Sequence, residues 1–316
     1  MLKTEKHGTV MVATLDRPAA LNSLNLELAT RLLTELRRCE ADDSVSAIVL
    51  RGSGPKAFCA GGDVKTVCAE LAKGNERYAL DFFTTEYRLD HAIHASQKPI
   101  LALGHGYVMG GGIGLTGFRL NAADALWGQL ADAFVPDEAL DELVALVVAS
   151  GEARTKEHLK ALVEGFSARF AAKLPPARLE PRLSRINDAL SGTDPRAAFA
   201  RLAKLAGEPG TPCADEPLAE AARNFAAGSP TSAFVTWEQL KRGLCLSLEA
   251  CFRMELALAV QFGRRHDFRE GVRAVLVDKD KRPSWRPATL DAVKSEDVAA
   301  HFASPWGAAP HPLADL

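Results

Sequence analysis

The strongest constraint on this fold is a repeated handover from a short, fully apolar strand to a glycine-rich turn and then to a helix. Residues 46–50, SAIVL, form one such run closed by RGSGP, and residues 98–104, KPILALG, form another whose Pro99 suits the first position of a strand. Between them residues 64–96 carry apolar side chains at helical spacing. Asn25–Arg38 do the same after the polar start NSLN, and residues 8–15, GTVMVATL, open the pattern as a strand. This β, α, β rhythm predicts an α/β fold, a sheet with crossover helices. From about residue 122 to 273 the period is almost entirely helical, interrupted near 205–232 by GEPGTPCADEP and AAGSPTS. After Asp278 come Pro283, Pro287, Pro305, Pro310 and Pro312, which predict an irregular, surface-bound tail. The expected division is a core over 1–120, a mostly helical region over 121–290 and a tail over 291–316.

Composition narrows the function classes. With 47% hydrophobic residues, 25% charged and a formal net charge of -2, the chain has no electrostatic pull toward nucleic acid or anionic membrane. No stretch reaches the roughly 18 unbroken apolar residues of a membrane span. The six cysteines include no CxxC pair and no Cys/His cluster at zinc spacing, so they are expected to be thiols in a reducing compartment, with no metal site. The first residues, MLKTEKHGTVMVATLDRP, lack a secretory or organelle leader pattern, which makes the cytoplasm the default; a mitochondrial form with a longer amino terminus stays open.

Two segments carry the chemistry. KAFCAGGDVK and GYVMGGGIGL each place small residues where a buried strand gives way to a helix. The first turn of a helix has N–H groups without internal partners, and glycine lets a ligand approach them without a Cβ in the way. One N–H from each loop could therefore converge on one oxygen. Such a donor is worth about 2.7 to 4 kcal/mol where a tetrahedral oxyanion forms. Taken alone, each glycine group serves a tight turn or close helix packing equally well. A dinucleotide fingerprint fails on spacing at Gly104, Gly106 and Gly110, and no GxxxxGK[ST] occurs.

In order along the chain, LDRPAALNSL, KAFCAGGDVK and GHGYVMGGGIGL resemble the crotonase superfamily of acyl-CoA enzymes. TGFRL, SPTS and HDFREGVRAVLVDKDKRPSWRP resemble its 3-hydroxyisobutyryl-CoA hydrolase branch, which acts in valine breakdown, and together these segments span Leu15 to Pro287. The resemblance implies a spiral of ββα turns with an α-helical C-terminal region and an acyl-CoA thioester as substrate. It implies no cofactor, since coenzyme A is part of the substrate, and leaves a homo-oligomer open. It places oxyanion-binding N–H groups at Gly62 and Gly111 and sets Ala60, Asp63 and Lys65 along the coenzyme A moiety, with Asp63 expected as a helix cap. Glu86, in TTEYRLDHAI, matches a position that contacts the acyl portion. Gly114 stands where hydratases of the superfamily carry a catalytic glutamate, and a glycine there is typical of the hydrolase branch.

One departure stands out. In the hydrolase branch a strand, a PETxxGxxPD-like motif, a glycine-rich turn and part of a helix separate GGGxGL from TGFRL; here Thr116 follows Leu115 directly. The missing block carries the branch's catalytic glutamate and a nearby aspartate, so the resemblance supplies no general base. Asp124, Asp132, Asp137 and Glu138 follow the join but are expected to be solvated. Loss of a turn should also expose apolar faces, at about 25 cal/mol per Å² against a typical stability of 5 to 15 kcal/mol, unless the reading frame has lost a piece. The expected function is thus 3-hydroxyisobutyryl-CoA hydrolase-like thioester hydrolysis with poor or no turnover. The alternatives are a non-catalytic CoA-ester-binding or assembly subunit, and a hydratase or isomerase, which would need a carboxylate near Gly111. His105 is read as structural, His266 and Asp267 as helix-terminal or coenzyme A-side residues, and Arg264, Arg265, Arg273, Lys279 and Lys281 as a solvated face or a contact for the coenzyme A phosphates.

Overall fold

The computed structural model describes residues 1–108, 118–151, 155–207 and 215–316. Gly111, the other glycines of its run and the join at Leu115 lie outside them. The chain forms two compact units: residues 1–63, 84–111 and 121–177 in one, and 64–83, 112–120 and 178–316 in the other.

The first unit is built on a four-stranded sheet in the order β1 (Leu2–His7), β2 (Val10–Leu15), β3 (Ala47–Gly52), β5 (Ile100–Leu103). β1 and β2 form a hairpin around Gly8, whose positive φ of 59° suits glycine, while β2, β3 and β5 run parallel. The hairpin partner β1 lies beyond the strand read at residues 8–15; its side chains are mostly exposed, as an edge strand's can be, so apolarity did not mark it. A second, two-stranded sheet pairs β4 (Ala57–Cys59) with β6 (Tyr107–Val108) in parallel. The sequence therefore visits the large sheet and then the small one twice, β3 to β4 and β5 to β6, with helices between. This is the expected ββα spiral.

Both faces of the large sheet are covered, which explains why β2 and β3 are apolar almost throughout. Met11, Ala13, Leu15, Ile48 and Leu50 point toward α1 (Leu26–Ala41), which buries Leu28, Ala29, Leu32, Leu33, Leu36 and Cys39 along one stripe. α1 starts at Asn25, whose side chain accepts the Leu28 N–H at 2.9 Å. Leu89, from α3 (Glu76–Ala95), joins the same cluster. The alternate residues Val10, Val12, Ala47 and Val49 face the other way, onto α5 (Leu140–Ser150) and α6 (Lys156–Ser167) through Leu143, Val147, Leu159, Val163 and Phe166. A short α4 (Ala122–Trp127) precedes them.

The second unit is helical: α2 (Val64–Ala72), α7 (Leu183–Leu190), α8 (Pro195–Lys204), α9 (Glu216–Ala227), α10 (Pro230–Gly243), α11 (Leu248–Arg264), α12 (His266–Val272) and α13 (Ser295–His301). Its core centres on Phe199, whose ring lies 5.0 Å from Phe234, 5.2 Å from Phe225 and 5.7 Å from Trp237.

Three details differ from the sequence reading. Residues 64–96 form two helices, broken at Gly74 with φ of 81°. The 205–232 interruption contains α9, and the tail contains α13, at whose start the Lys294 N–H donates to the Asp297 carboxylate at 3.4 Å. Several large apolar side chains are exposed, among them Tyr107 and Val108 of β6 at 55% and 61% and Leu244 at 87%.

Candidate active site

The segment LDRPAALNSL turns sharply after β2. Leu21 and Asn22 both adopt left-handed backbone, φ 51° and 55°, a conformation Asn tolerates better than most residues. Asn22 is 1% exposed and fully used: its Oδ1 accepts the Arg17 N–H at 2.9 Å, and its Nδ2 donates to the carbonyls of Ser53 at 2.9 Å and Ala57 at 2.8 Å. One buried amide thus ties the turn after β2 to the residues entering β4. A cavity of about 220 Å³ lies against this turn, lined by Pro18, Leu21, Asn22, Ser53, Gly54 and Lys56 among others.

Leu21 and Leu24, on either side of this asparagine, hold the AGGD loop. Ala60 N–H donates to Leu21 at 3.0 Å, Leu24 N–H to Gly61 at 2.9 Å, and Asp63 N–H to Leu24 at 2.7 Å. The last two bonds make Leu24 and Gly62 a parallel bridge pair. In such a pair the partner residue bonds through its neighbours, so the Gly62 N–H is directed away from Leu24. It is half-buried and makes no hydrogen bond with a described residue. Gly61 adopts φ 81°, where a side chain would be strained, and this turns the chain. Of the loop residues singled out from sequence, Gly62 offers a donor to a ligand oxygen, whereas the N–H groups of Ala60 and Asp63 are already spent. Asp63 directly precedes α2, and its carboxylate accepts from Arg17 Nη2 at 3.0 Å, with both side chains mostly covered. Lys65 lies on α2 and is exposed.

Glu86 is the least expected feature. It lies on the inward stripe of α3, Phe82, Glu86, Leu89 and Ile93, where Phe82 and Leu89 are fully buried. No described residue forms a hydrogen bond or ion pair with it. Burial, and secondarily the Asp90 carboxylate one turn along, push its acid up from the ordinary 4.5 to about 7. The Cys59 thiol at the end of β4 is likewise pushed up, first by burial, with the Glu86 and then the Asp90 carboxylates adding to it. The Glu86 and Asp90 carboxylates thus act on the Cys59 thiol, which is three residues from Gly62.

Comparison with known proteins fits this architecture. A family model described as enoyl-CoA hydratase/isomerase matches residues 10–115 and 113–302. This chain belongs to the enoyl-CoA hydratase/isomerase family. Curated relatives include the mitochondrial 3-hydroxyisobutyryl-CoA hydrolases of Gallus gallus and Homo sapiens, each 32% identical. The chicken alignment covers 93% of this chain and 86% of that protein, and the human one 95% and 88%. Among solved structures, an enoyl-CoA hydratase from Rhodobacter sphaeroides superposes with a TM-score of 0.81 at 27% identity, covering 96% of this chain and 97% of that one. A carnitinyl-CoA dehydratase from Mycobacterium thermoresistibile gives 0.79 at 30%, covering 96% of each. These names all carry a coenzyme A thioester, the ligand class the family implies. The join is visible too. The two matched segments of the family model meet at residues 113–115. The chicken alignment runs over 344 positions, and 93% of 316 residues is about 294, so about 50 positions have no counterpart here.

The remaining family positions sort as follows. Gly111 lies outside the described residues. His105 bridges loops of the scaffold: its Nε2 lies 2.8 Å from the Gly54 carbonyl, which can only accept, so that nitrogen carries the proton. Asp124 is not solvated, as expected from sequence, but fully buried: it caps α4 in a reciprocal box with Asn121. Asp132 and Asp137 are exposed, and the exposed Glu138 pairs with Lys173 at 2.7 Å. His266 and Asp267 do touch, Nδ1 to Oδ1 at 3.1 Å, because His266 opens α12 and its ring can fold back. Asp267 also accepts from Ser229 Oγ at 2.5 Å and the Arg286 N–H at 2.9 Å, so it knits α10, α12 and the following segment together. Two of the five basic residues are in ion pairs, Arg264 with Glu76 and Arg273 with Glu270, Asp278 and Asp280, while Arg265 donates to Gln261 and the Ala300 carbonyl. The sequence reading missed Asn22 and Arg17 as the builders of the site. A polar pair inside the apolar turn LNSL was the available signal.

Proposed function

We propose that this chain binds acyl-CoA thioesters and hydrolyses them slowly, as a 3-hydroxyisobutyryl-CoA hydrolase-like protein of valine breakdown. The observation that carries this reading is the Gly62 N–H, held by the Leu24 bridge and directed away from it without a described partner. In this reading it donates to the thioester carbonyl oxygen, and Gly111, from the resemblance, is the second donor. Glu86 lines the acyl side, and the backbone of Ala60, Asp63 and Lys65 runs along the coenzyme A moiety. The cavity bordered by Lys56 offers a cation to its phosphates. No cofactor is needed, because the substrate brings coenzyme A with it. The reduced rate follows from the join after Leu115, where the glutamate and aspartate of the hydrolase branch are absent.

That absence favours a second reading, a CoA-ester-binding subunit without turnover. Calorimetric titration with 3-hydroxyisobutyryl-CoA and a thiol-release assay on the same sample separate the two. Binding with slow release supports slow hydrolysis, binding without release supports the binding subunit, and absence of binding refutes both. A cytoplasmic or mitochondrial compartment suits either reading.

A further inference from the structure

We propose that the helical unit carries a ligand site of its own, a cavity walled by α8, α10 and α13 that takes a carboxylate with an apolar body. None of its residues belongs to the AGGD loop or to α3, so the proposal holds whether or not the chain hydrolyses acyl-CoA.

The walls come first. The cavity measures about 470 Å³, the size of an ordinary small-molecule site. Its apolar lining is Pro195 from α8, Phe234 and Trp237 from α10, Val293 ahead of α13, and Val298 and Ala299 on it. Phe234 and Val293 are buried members of the core around Phe199, and Trp237 and Val298 pack against that core. The lining is therefore continuous with the core of the second unit.

These walls are held together without a ligand. Arg196 donates from Nη1 to the Leu290 carbonyl and from Nη2 to the Val293 carbonyl, each at 2.7 Å, and its guanidinium lies 4.9 Å from the centre of the Phe234 ring. Toward the other end of α10, the Arg242 guanidinium lies 4.0 Å from the centre of the ring of Phe302, the residue that follows α13. A cavity fixed in this way loses little conformational freedom when it is filled.

Charge selects the occupant. Three cations, Arg196, Arg242 and Lys294, line the cavity against one carboxylate, Glu238. Glu238 accepts from Arg242 Nε at 2.8 Å, which neutralises that pair. The Arg196 partner is Asp291, at 3.8 Å and fully exposed, so water screens the attraction. The exposed Lys294 has no ion pair with a described residue, and neither its Nζ nor the Trp237 Nε1–H donates to one. Uncompensated positive charge beside an apolar wall suits one ligand class. An inorganic anion would leave the wall in water, and a neutral apolar molecule would leave the cations unmatched. A carboxylate on an aliphatic body covers the wall and accepts charge-assisted hydrogen bonds.

The test titrates octanoate into the full chain by calorimetry and by tryptophan fluorescence, with octanol and inorganic phosphate as comparisons. Octanoate should bind and change the emission, a change lost in Trp237→Phe, and octanol and phosphate should each bind about tenfold more weakly or worse. Lys294→Met removes an exposed charge and keeps the apolar stem; it should weaken octanoate about tenfold and leave octanol unchanged. Ala299→Phe, at an exposed position of the wall, should block octanoate, with folding checked by circular dichroism. Absence of octanoate binding to the wild type overturns the site. Octanol binding as tightly as octanoate overturns the carboxylate, and phosphate binding as tightly overturns the apolar body. Octanoate binding that neither Lys294→Met nor Ala299→Phe alters belongs elsewhere on the chain and overturns the site as well.

Discussion

Replacing Glu86 by Gln should stabilise the protein, and only above a defined pH. The folded-state acid is raised from the ordinary 4.5 to about 7, chiefly by burial. Between these values the folded chain binds the proton more tightly than the unfolded one, so unfolding releases it. The group costs nothing below pH 4.5, where both states are protonated; the cost grows as pH rises and is complete above 7. At 1.36 kcal/mol per pH unit the full rise corresponds to about 3 kcal/mol, and screening of a half-buried group brings the expected figure to about 2 kcal/mol. Glutamine keeps the volume and removes the charge, so urea denaturation at pH 8 should show the variant more stable by about 2 kcal/mol, with the difference vanishing near pH 4. Equal stability of the two proteins at pH 8, or a less stable variant there, would refute a half-buried carboxylate with no partner among the described residues.

Two further outcomes probe the loop that holds Gly62. Asn22→Leu leaves the Ser53 and Ala57 carbonyls and the Arg17 N–H without their partner, and should cost about 2 to 4 kcal/mol in a urea melt, with faster amide exchange across residues 57–63. Gly61→Ala forces a side chain onto φ 81° and should cost about 1 to 2 kcal/mol by the same melt while weakening CoA-ester binding in calorimetry.

The spiral was legible because its determinants are local. The apolar runs at 46–50 and 98–104 became β3 and β5, and the Asn25 cap and leucine spacing became α1. The exposed hairpin strand β1 was less legible, since its polar side chains carry no burial signal. α9 and α13 stand among prolines and glycines that marked loops. At the candidate site, the motif AGGD pointed to Gly62, but only the register of the bridge to Leu24 distinguishes its available N–H from those of Ala60 and Asp63. Glutamate as a residue type is mostly exposed, so Glu86 carries no burial signal of its own. Its phase relative to Phe82 and Leu89 placed it inward, and that phase could have been read from the sequence. The Asn121–Asp124 capping box is a local pattern that the sequence carries, whereas the burial of Asp124 depends on tertiary packing that no local pattern encodes.

Hydrogen bonding to the thioester oxygen can be observed directly. In a difference infrared spectrum of 3-hydroxyisobutyryl-CoA labelled with carbon-13 at the carbonyl, donation from Gly62 should move the carbonyl band to lower wavenumber on binding to the full chain. A bound ester whose band stays at its solution or apolar-solvent position would contradict a carbonyl held at this loop.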